Sequence, residues 1–194
     1  MDVELQALLA ELEQFGKDND EKHAGDRSKR MLNLESDAAQ FISILARSSK
    51  RQRMLEIGTS NGYSTIWWAW VTTITGGHVT SIERSPEKQA MADANLKRAG
   101  LRDQVTLLLG DASEIIQSLD GTYDFVLFDA DRRAAPAQHQ LLLPTIESGA
   151  LLLADNVLSH PDQIAEYLSV VNSLADFDHI VIDVGKGISL AYRR

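Results

Sequence analysis

A chain of 194 residues, 44% of them hydrophobic, is long enough to enclose a sizeable core and short enough to do so as one domain, 1–194. It has no cysteine, which excludes disulfides and thiolate zinc sites and makes a reducing, cytoplasmic setting the expectation. Nineteen basic against 28 acidic residues give a formal charge of −9, unfavourable for unspecific nucleic-acid binding. Met1-Asp2-Val3-Glu4 lacks the basic-then-apolar pattern of a signal peptide, and no apolar run reaches the length of a membrane span, so no membrane partner is expected. Leucines and Phe15 at helical spacing over residues 3–15 predict an amphipathic helix. The charged stretch from Lys17 to Arg30, with Gly16 and Gly25, reads as a mobile loop. Ser36 to Ala46 predicts a second helix that packs Phe41, Ile42 and Leu45, closing an N-terminal helical segment of residues 1–48. Lys50 to Arg53 then forms a basic connector into the α/β core, residues 52–194.

Met54 to Ile57 reads as a short buried strand, followed by a turn holding Gly58 and Gly62 and an apolar helical run, Ile66 to Val71. Strand and helix patterns alternate from there. Strands are predicted over 78–83, 104–109, 123–128 and 149–154, and helices over 86–98, 112–118, 138–143 and 161–174. Pro86 opens the first of these helices and Gly100 closes it. This repetition implies a Rossmann-like, doubly wound and mostly parallel seven-stranded sheet. His179–Val184 and Ile188–Tyr192 break the rhythm, because only Gly185-Lys186-Gly187 separates them. A parallel pair needs a crossover of about a dozen residues or more, so the C-terminal strand must run antiparallel.

The first turn reads Gly-x-x-x-Gly rather than Gly-x-Gly-x-x-Gly, which lacks a glycine that a dinucleotide's pyrophosphate requires. S-adenosylmethionine has no phosphate and needs no such cradle. Glu83, ending the second strand, is placed to accept from ribose hydroxyls, or else is a solvated strand end. Asp111, after the third strand, is placed for an adenine amino group beside the Ala112 N–H, or is a helix N-cap. Glu56 lies just ahead of the turn, where a carboxylate suits a cationic group of the ligand.

Glu56-Ile57-Gly58-Thr59-Ser60-Asn61-Gly62-Tyr63-Ser64-Thr65 resembles the first motif of class I S-adenosylmethionine-dependent methyltransferases. More narrowly, it is similar to the cation-dependent O-methyltransferases of the catechol and caffeoyl-CoA type. Val184-Gly185-Lys186-Gly187-Ile188 resembles that family's closing Gly-Asp-Gly-Ile turn. The resemblance implies cofactor contacts at Gly58, Thr59, Ser64, Glu83, Ala112 and Asp131. Glu56, Gly62, Tyr63, Arg84, Gly110, Asp111 and Asp129 are assigned to the same crevice.

Two strands end in oxygen-bearing residues, Asp129 after the fourth and Asp155-Asn156 after the fifth. Three hard oxygen ligands suit Mg²⁺, Mn²⁺ or Ca²⁺, the alternative being that both aspartates cap helices. In the resembled family these positions bind the metal. The expected chemistry is metal-assisted deprotonation of a small vicinal-dihydroxy acceptor, followed by in-line attack on the sulfonium methyl. Asp129 and Arg132 are the catalytic candidates. Arg132 stands where the family usually has a lysine credited as base; arginine stays protonated and suits oxyanion stabilisation instead. His160 lies near the proposed metal, with a solvated helix start as the blander reading, whereas His23 and His139 have no constellation around them. Trp67, Trp68 and Trp70 fit core or dimer packing better than ligand stacking, and a homodimer is expected. Two alternatives stand: a tRNA hydroxyuridine O-methyltransferase, using Lys29, Arg30, Lys50, Arg51, Arg53, Arg132 and Arg133, or a non-catalytic S-adenosylmethionine-binding module.

Overall fold

The computed structural model describes residues 1–194 and sets seven strands in one sheet between two layers of helices. The strands are β1 (Arg53–Ile57), β2 (His78–Glu83), β3 (Val105–Leu109), β4 (Tyr123–Phe128), β5 (Ile146–Ala154), β6 (Phe177–Ile182) and β7 (Ile188–Arg193). Their spatial order is β3-β2-β1-β4-β5-β7-β6. The first five pair in parallel, and β7 lies between β5 and β6, antiparallel to both, as the short 183–187 connection requires.

Alternation along each strand divides the core between the two faces. Met54, Phe125, Leu127, Leu151 and Leu153 pack under α1 (Val3–Lys22), α2 (Ser36–Ser48), α3 (Tyr63–Thr75) and α4 (Pro86–Arg98). Leu55, Ile57, Val126, Phe128 and Leu152 face α5 (Ala112–Ile115), α6 (Ala135–Leu142) and α7 (Pro161–Ser173). None of these helices is long and apolar enough to cross a membrane.

The expected loop over 17–30 is corrected: α1 runs on to Lys22. Gly16 survives inside the helix because a Cβ there would lie 2.5 Å from Asn33 Nδ2, so its missing side chain admits the returning chain. The last turns are then tied down from outside, as Asp20 accepts from the Met31 and Leu32 N–H groups at 2.6 and 2.9 Å, and Asn19 donates to Lys29 O at 2.8 Å. These bonds fold residues 23–35 back over the C-terminal edge of the sheet.

Trp68 is fully buried and stacks near Phe125, while Trp67 and Trp70 pack edge to face with centroids 6.3 Å apart. The tryptophans therefore build the core and its margin. His139 has a constellation after all, an aromatic one: it is fully buried among Phe128, Tyr167 and Phe177, and neither ring nitrogen has a partner. At the β6–β7 turn, Lys186 O accepts from the Leu158 and Ser159 N–H groups and Gly187 O accepts from Val157 N–H, all within 3.2 Å. The turn thus braces the loop that follows β5.

Candidate active site

The sheet order reverses between β1 and β4, so the loops leaving their carboxyl ends part in opposite directions and open a crevice of about 1070 Å³. Gly58 begins it. Its φ of +106° is a conformation that a side chain resists, and a Cβ would lie 2.3 Å from the Asp129 carbonyl oxygen. Glycine is what lets β1 and β4 end side by side. Gly62 is required for a different reason, since at φ +86° its Cα faces Ala92 of α4, where a Cβ would come within 3.1 Å of the Ala92 Cβ. That glycine serves helix packing and does not line the crevice.

Glu56 is also corrected as a ligand group. It is 1% exposed and accepts from Ser64 Oγ (2.6 Å), Thr65 Oγ1 (2.5 Å), Trp68 Nε1 (2.8 Å) and Ser81 Oγ (2.6 Å). Burial raises its pKa, against the four neutral donors that lower it. The carboxyl therefore locks the α3 N-terminus to β1 and β2, and turns away from the crevice.

Several residues assigned to the cofactor line the β1–β3 half of the crevice. Glu83 Oε2 accepts from Ser60 N–H at 2.8 Å and Oε1 from Ser85 N–H at 2.9 Å, which fixes the carboxylate while leaving a lone pair on each oxygen. Thr59, Tyr63 and Ser64 line the wall, and Arg84, Gly110 and Ala112 the floor beyond β2 and β3. Asp111 caps α5, accepting from Ser113 N–H at 2.8 Å, and also lines the crevice. Asp131 is exposed on the rim and accepts from Arg133 N–H at 3.0 Å.

The paired ends of β4 and β5 bring Asp129, Asp155 and Arg132 around one recess that opens from the crevice at Asp129. Asp155 is 4% exposed, and its Oδ1 has no hydrogen-bond partner. Burial raises the Asp129 pKa, and the negative charges of Asp155 and then Glu56 raise it further. Asp155 is raised as well, by burial first and then by the Glu35 carboxylate. An orphaned oxygen and mutually repelling carboxylates fit a hard cation, whose charge would relieve both. Asn156 fits less well than its sequence position implied. It sits at φ +66°, points its amide nitrogen at Asp155 Oδ2, and lines neither cavity, so Oδ1 is not presented as a ligand. No trio of His, Asp, Glu or Cys is arranged for a metal anywhere in the chain, which leaves the site with two carboxylates.

His160 is the residue before α7, bonded through Nδ1 to Ser159 Oγ at 2.9 Å and absent from both cavity walls. Of the seven cations named for the tRNA alternative, two lie away from the crevice. Arg51 donates to Asp124 O and Gly149 O, Arg53 pairs with Glu147, and both sit at the opposite end of the sheet from the crevice. Residues 27–34, which cross the crevice mouth, were missed by sequence reasoning. The pairing of Asp20 with Met31 and Leu32 that brings them there leaves no local pattern.

A family model described as O-methyltransferase matches residues 2–194. The catechol O-methyltransferase of Mycobacterium tuberculosis (strain ATCC 25618 / H37Rv) is 34% identical over 134 residues, spanning 69% of this chain and 60% of that protein. The match thus covers about three-fifths of that relative's length. In three dimensions, the O-methyltransferase from Bacillus cereus in complex with SAH gives a TM-score of 0.84 at 23% identity, over 97% of this chain and 91% of that one. The O-methyltransferase from Streptomyces achromogenes involved in tomaymycin synthesis, in complex with SAM, gives 0.77 at 24% identity, over 100% and 90%. At such identities the likeness is one of fold.

Proposed function

The chain belongs to the O-methyltransferase family, and from that premise we propose that it moves the methyl group of S-adenosylmethionine to a hydroxyl of a small vicinal-dihydroxy aromatic, with a hard divalent cation between Asp129 and Asp155. The observation that supports the reading is adjacency: Glu83, its carboxylate fixed by two backbone N–H groups, lines the same crevice as Asp129, and the recess shared by Asp129 and Asp155 at the tips of β4 and β5 opens from it. Glu83 and Asp111 hold the adenosyl half, and the crevice wall at Thr59, Tyr63 and Ser64 excludes water from it. Asp129 and Asp155 would hold the cation, which when bound would supply Lewis acidity that lowers the pKa of an acceptor hydroxyl. Arg132, permanently charged beside the same recess, stabilises the oxyanion that forms. With its proton released to solvent, the acceptor oxygen would attack the sulfonium methyl carbon in line, the O–CH3 bond forming as the S–CH3 bond breaks and S-adenosylhomocysteine leaves, and positioning would supply much of the rate without a covalent enzyme intermediate.

Replacing Asp155 with Ala tests the reading. The expected result is loss of divalent-cation-stimulated transfer to catechol, together with loss of Mg²⁺ binding by calorimetry. Undiminished turnover in a chelator would refute the cation's part, and no transfer to any catechol would refute the acceptor class.

A further inference from the structure

The arginines of this acidic protein sort into two groups. Arg30, Arg53, Arg98, Arg102, Arg193 and Arg194 each meet a carboxylate within 4 Å. Arg47 stacks over Trp70 at 4.7 Å, and Arg51 donates to two backbone carbonyls. The remaining four, Arg27, Arg84, Arg132 and Arg133, have no carboxylate partner, and all four line the crevice. A solvated arginine on a surface needs no explanation, but Arg132 is different. It is half-buried, its Nε is buried without any partner, and its one side-chain bond is a long 3.4 Å contact from Nη1 to Gln163. A buried donor left unmade is costly and marks a place where an acceptor belongs.

The position of the cations is equally specific. Arg84 follows β2, beside Glu83 in the donor half. Arg132 follows β4, and Arg27 comes over the crevice mouth on the segment that Asp20 holds in place. Burial and then the positive charge of Arg27 hold Arg132 below its usual range, against the pull of Asp129, Asp155 and Asp131, and burial, then Arg132, then Arg27 do the same to His160. Arg27 lines the same crevice as Asp129, Arg132 and Arg133, on the segment that crosses its mouth. Two guanidiniums repelling each other across a cavity, one with an orphaned N–H, form a fork for an oxyanion.

We infer that the acceptor carries an oxyanionic group, a carboxylate or a phosphate, gripped by Arg27 and Arg132 at the open end of the crevice while its hydroxyls face Asp129. This rests on the methyl-transfer reading and narrows its substrate class. It also gives Arg132 a positioning role beyond charge at the reacting oxygen. A charge-assisted fork of this kind changes selectivity roughly 10- to 100-fold.

The test compares four acceptors of matched shape at saturating S-adenosylmethionine and Mg²⁺: 3,4-dihydroxybenzoate, 3,4-dihydroxybenzyl phosphate, the neutral 3,4-dihydroxybenzyl alcohol and the cationic 3,4-dihydroxybenzylamine. At least one anion is expected to exceed the alcohol by roughly tenfold or more in kcat/KM, with the amine lowest, and the better anion identifies the group. Arg27→Gln and Arg132→Gln should each compress the anion-to-alcohol ratio, a comparison made within one variant and so insensitive to its overall activity. Equal turnover of alcohol and both anions, or an uncompressed ratio in the double variant, would overturn the inference. If none of the four is methylated, the vicinal-dihydroxy acceptor class proposed above falls. The binding order of the same probes, read by calorimetry with S-adenosylhomocysteine bound, still decides this one: anions first upholds it, no preference ends it.

Discussion

Acid should loosen this fold through His139. The ring is fully buried in a cage of Phe128, Tyr167 and Phe177 with both nitrogens unpartnered, and burial, then the nearby Arg193 charge, pushes its pKa from 6.5 to about 4. A histidine that is harder to protonate in the folded chain takes its proton first in the unfolded one, so stability falls as pH drops from 6.5 towards 4. At pH 5 the unfolded ring is favoured for protonation by roughly 30-fold, about 2 kcal/mol, and the full interval is worth about 3 kcal/mol. With a urea dependence of roughly 2 kcal/mol/M, the unfolding midpoint should move down by about 1 M between pH 7.5 and pH 5 on this account alone. The buried carboxyls Glu56, Asp129 and Asp155, whose pKa values are raised, act in the opposite sense, since they gain protons more readily when folded. They titrate equally in a His139→Leu variant. The quantity to measure is therefore the difference in pH dependence between wild type and His139→Leu by urea unfolding. Parallel dependences would refute the assignment, whatever the absolute stabilities.

On the proposed ribose-binding role, Glu83→Gln should weaken S-adenosylhomocysteine binding roughly 10- to 100-fold by calorimetry, because a carboxylate with two acceptor oxygens is replaced by a group with one. Gly58→Ala adds a methyl 2.3 Å from the Asp129 carbonyl at a φ of +106°. Strain plus overpacking should cost about 3 kcal/mol in urea unfolding, and an unchanged midpoint would mean the two strand ends are not so closely set. Arg132→Lys keeps the charge but loses the fork, so kcat on catechol should fall less than about tenfold. A rise by orders of magnitude at neutral pH would show that a base, not a fixed cation, is what the site lacks.

Much of this was legible because strand and turn chemistry is local. Tyr123–Phe128 and His78–Glu83 were bounded correctly by apolar alternation and flanking turns, and three residues between the last strands were enough to reverse the final one. The meeting of Asp129 and Asp155 followed from the adjacency of β4 and β5. Glu56 was misread, although a signal existed: Ser64, Thr65 and Trp68 fall on one face of α3 and supply three of its four donors. The last two turns of α1 were not legible, since charged residues and Gly16 argue for a loop until Asn33 and the backbone of Met31 and Leu32 are known to meet them. For the same reason Arg27 had no visible link to the site.

The brace under the loop after Asp155 has a consequence for biosynthesis. Glu83, Asp129 and Asp155 leave the ribosome well before β7, yet Val157, Leu158 and Ser159 anchor to carbonyls of residues 186 and 187 in the turn that leads into it. A nascent polypeptide halted ahead of that turn would hold its adenosyl pocket in outline and its aspartate pair on a slack tether.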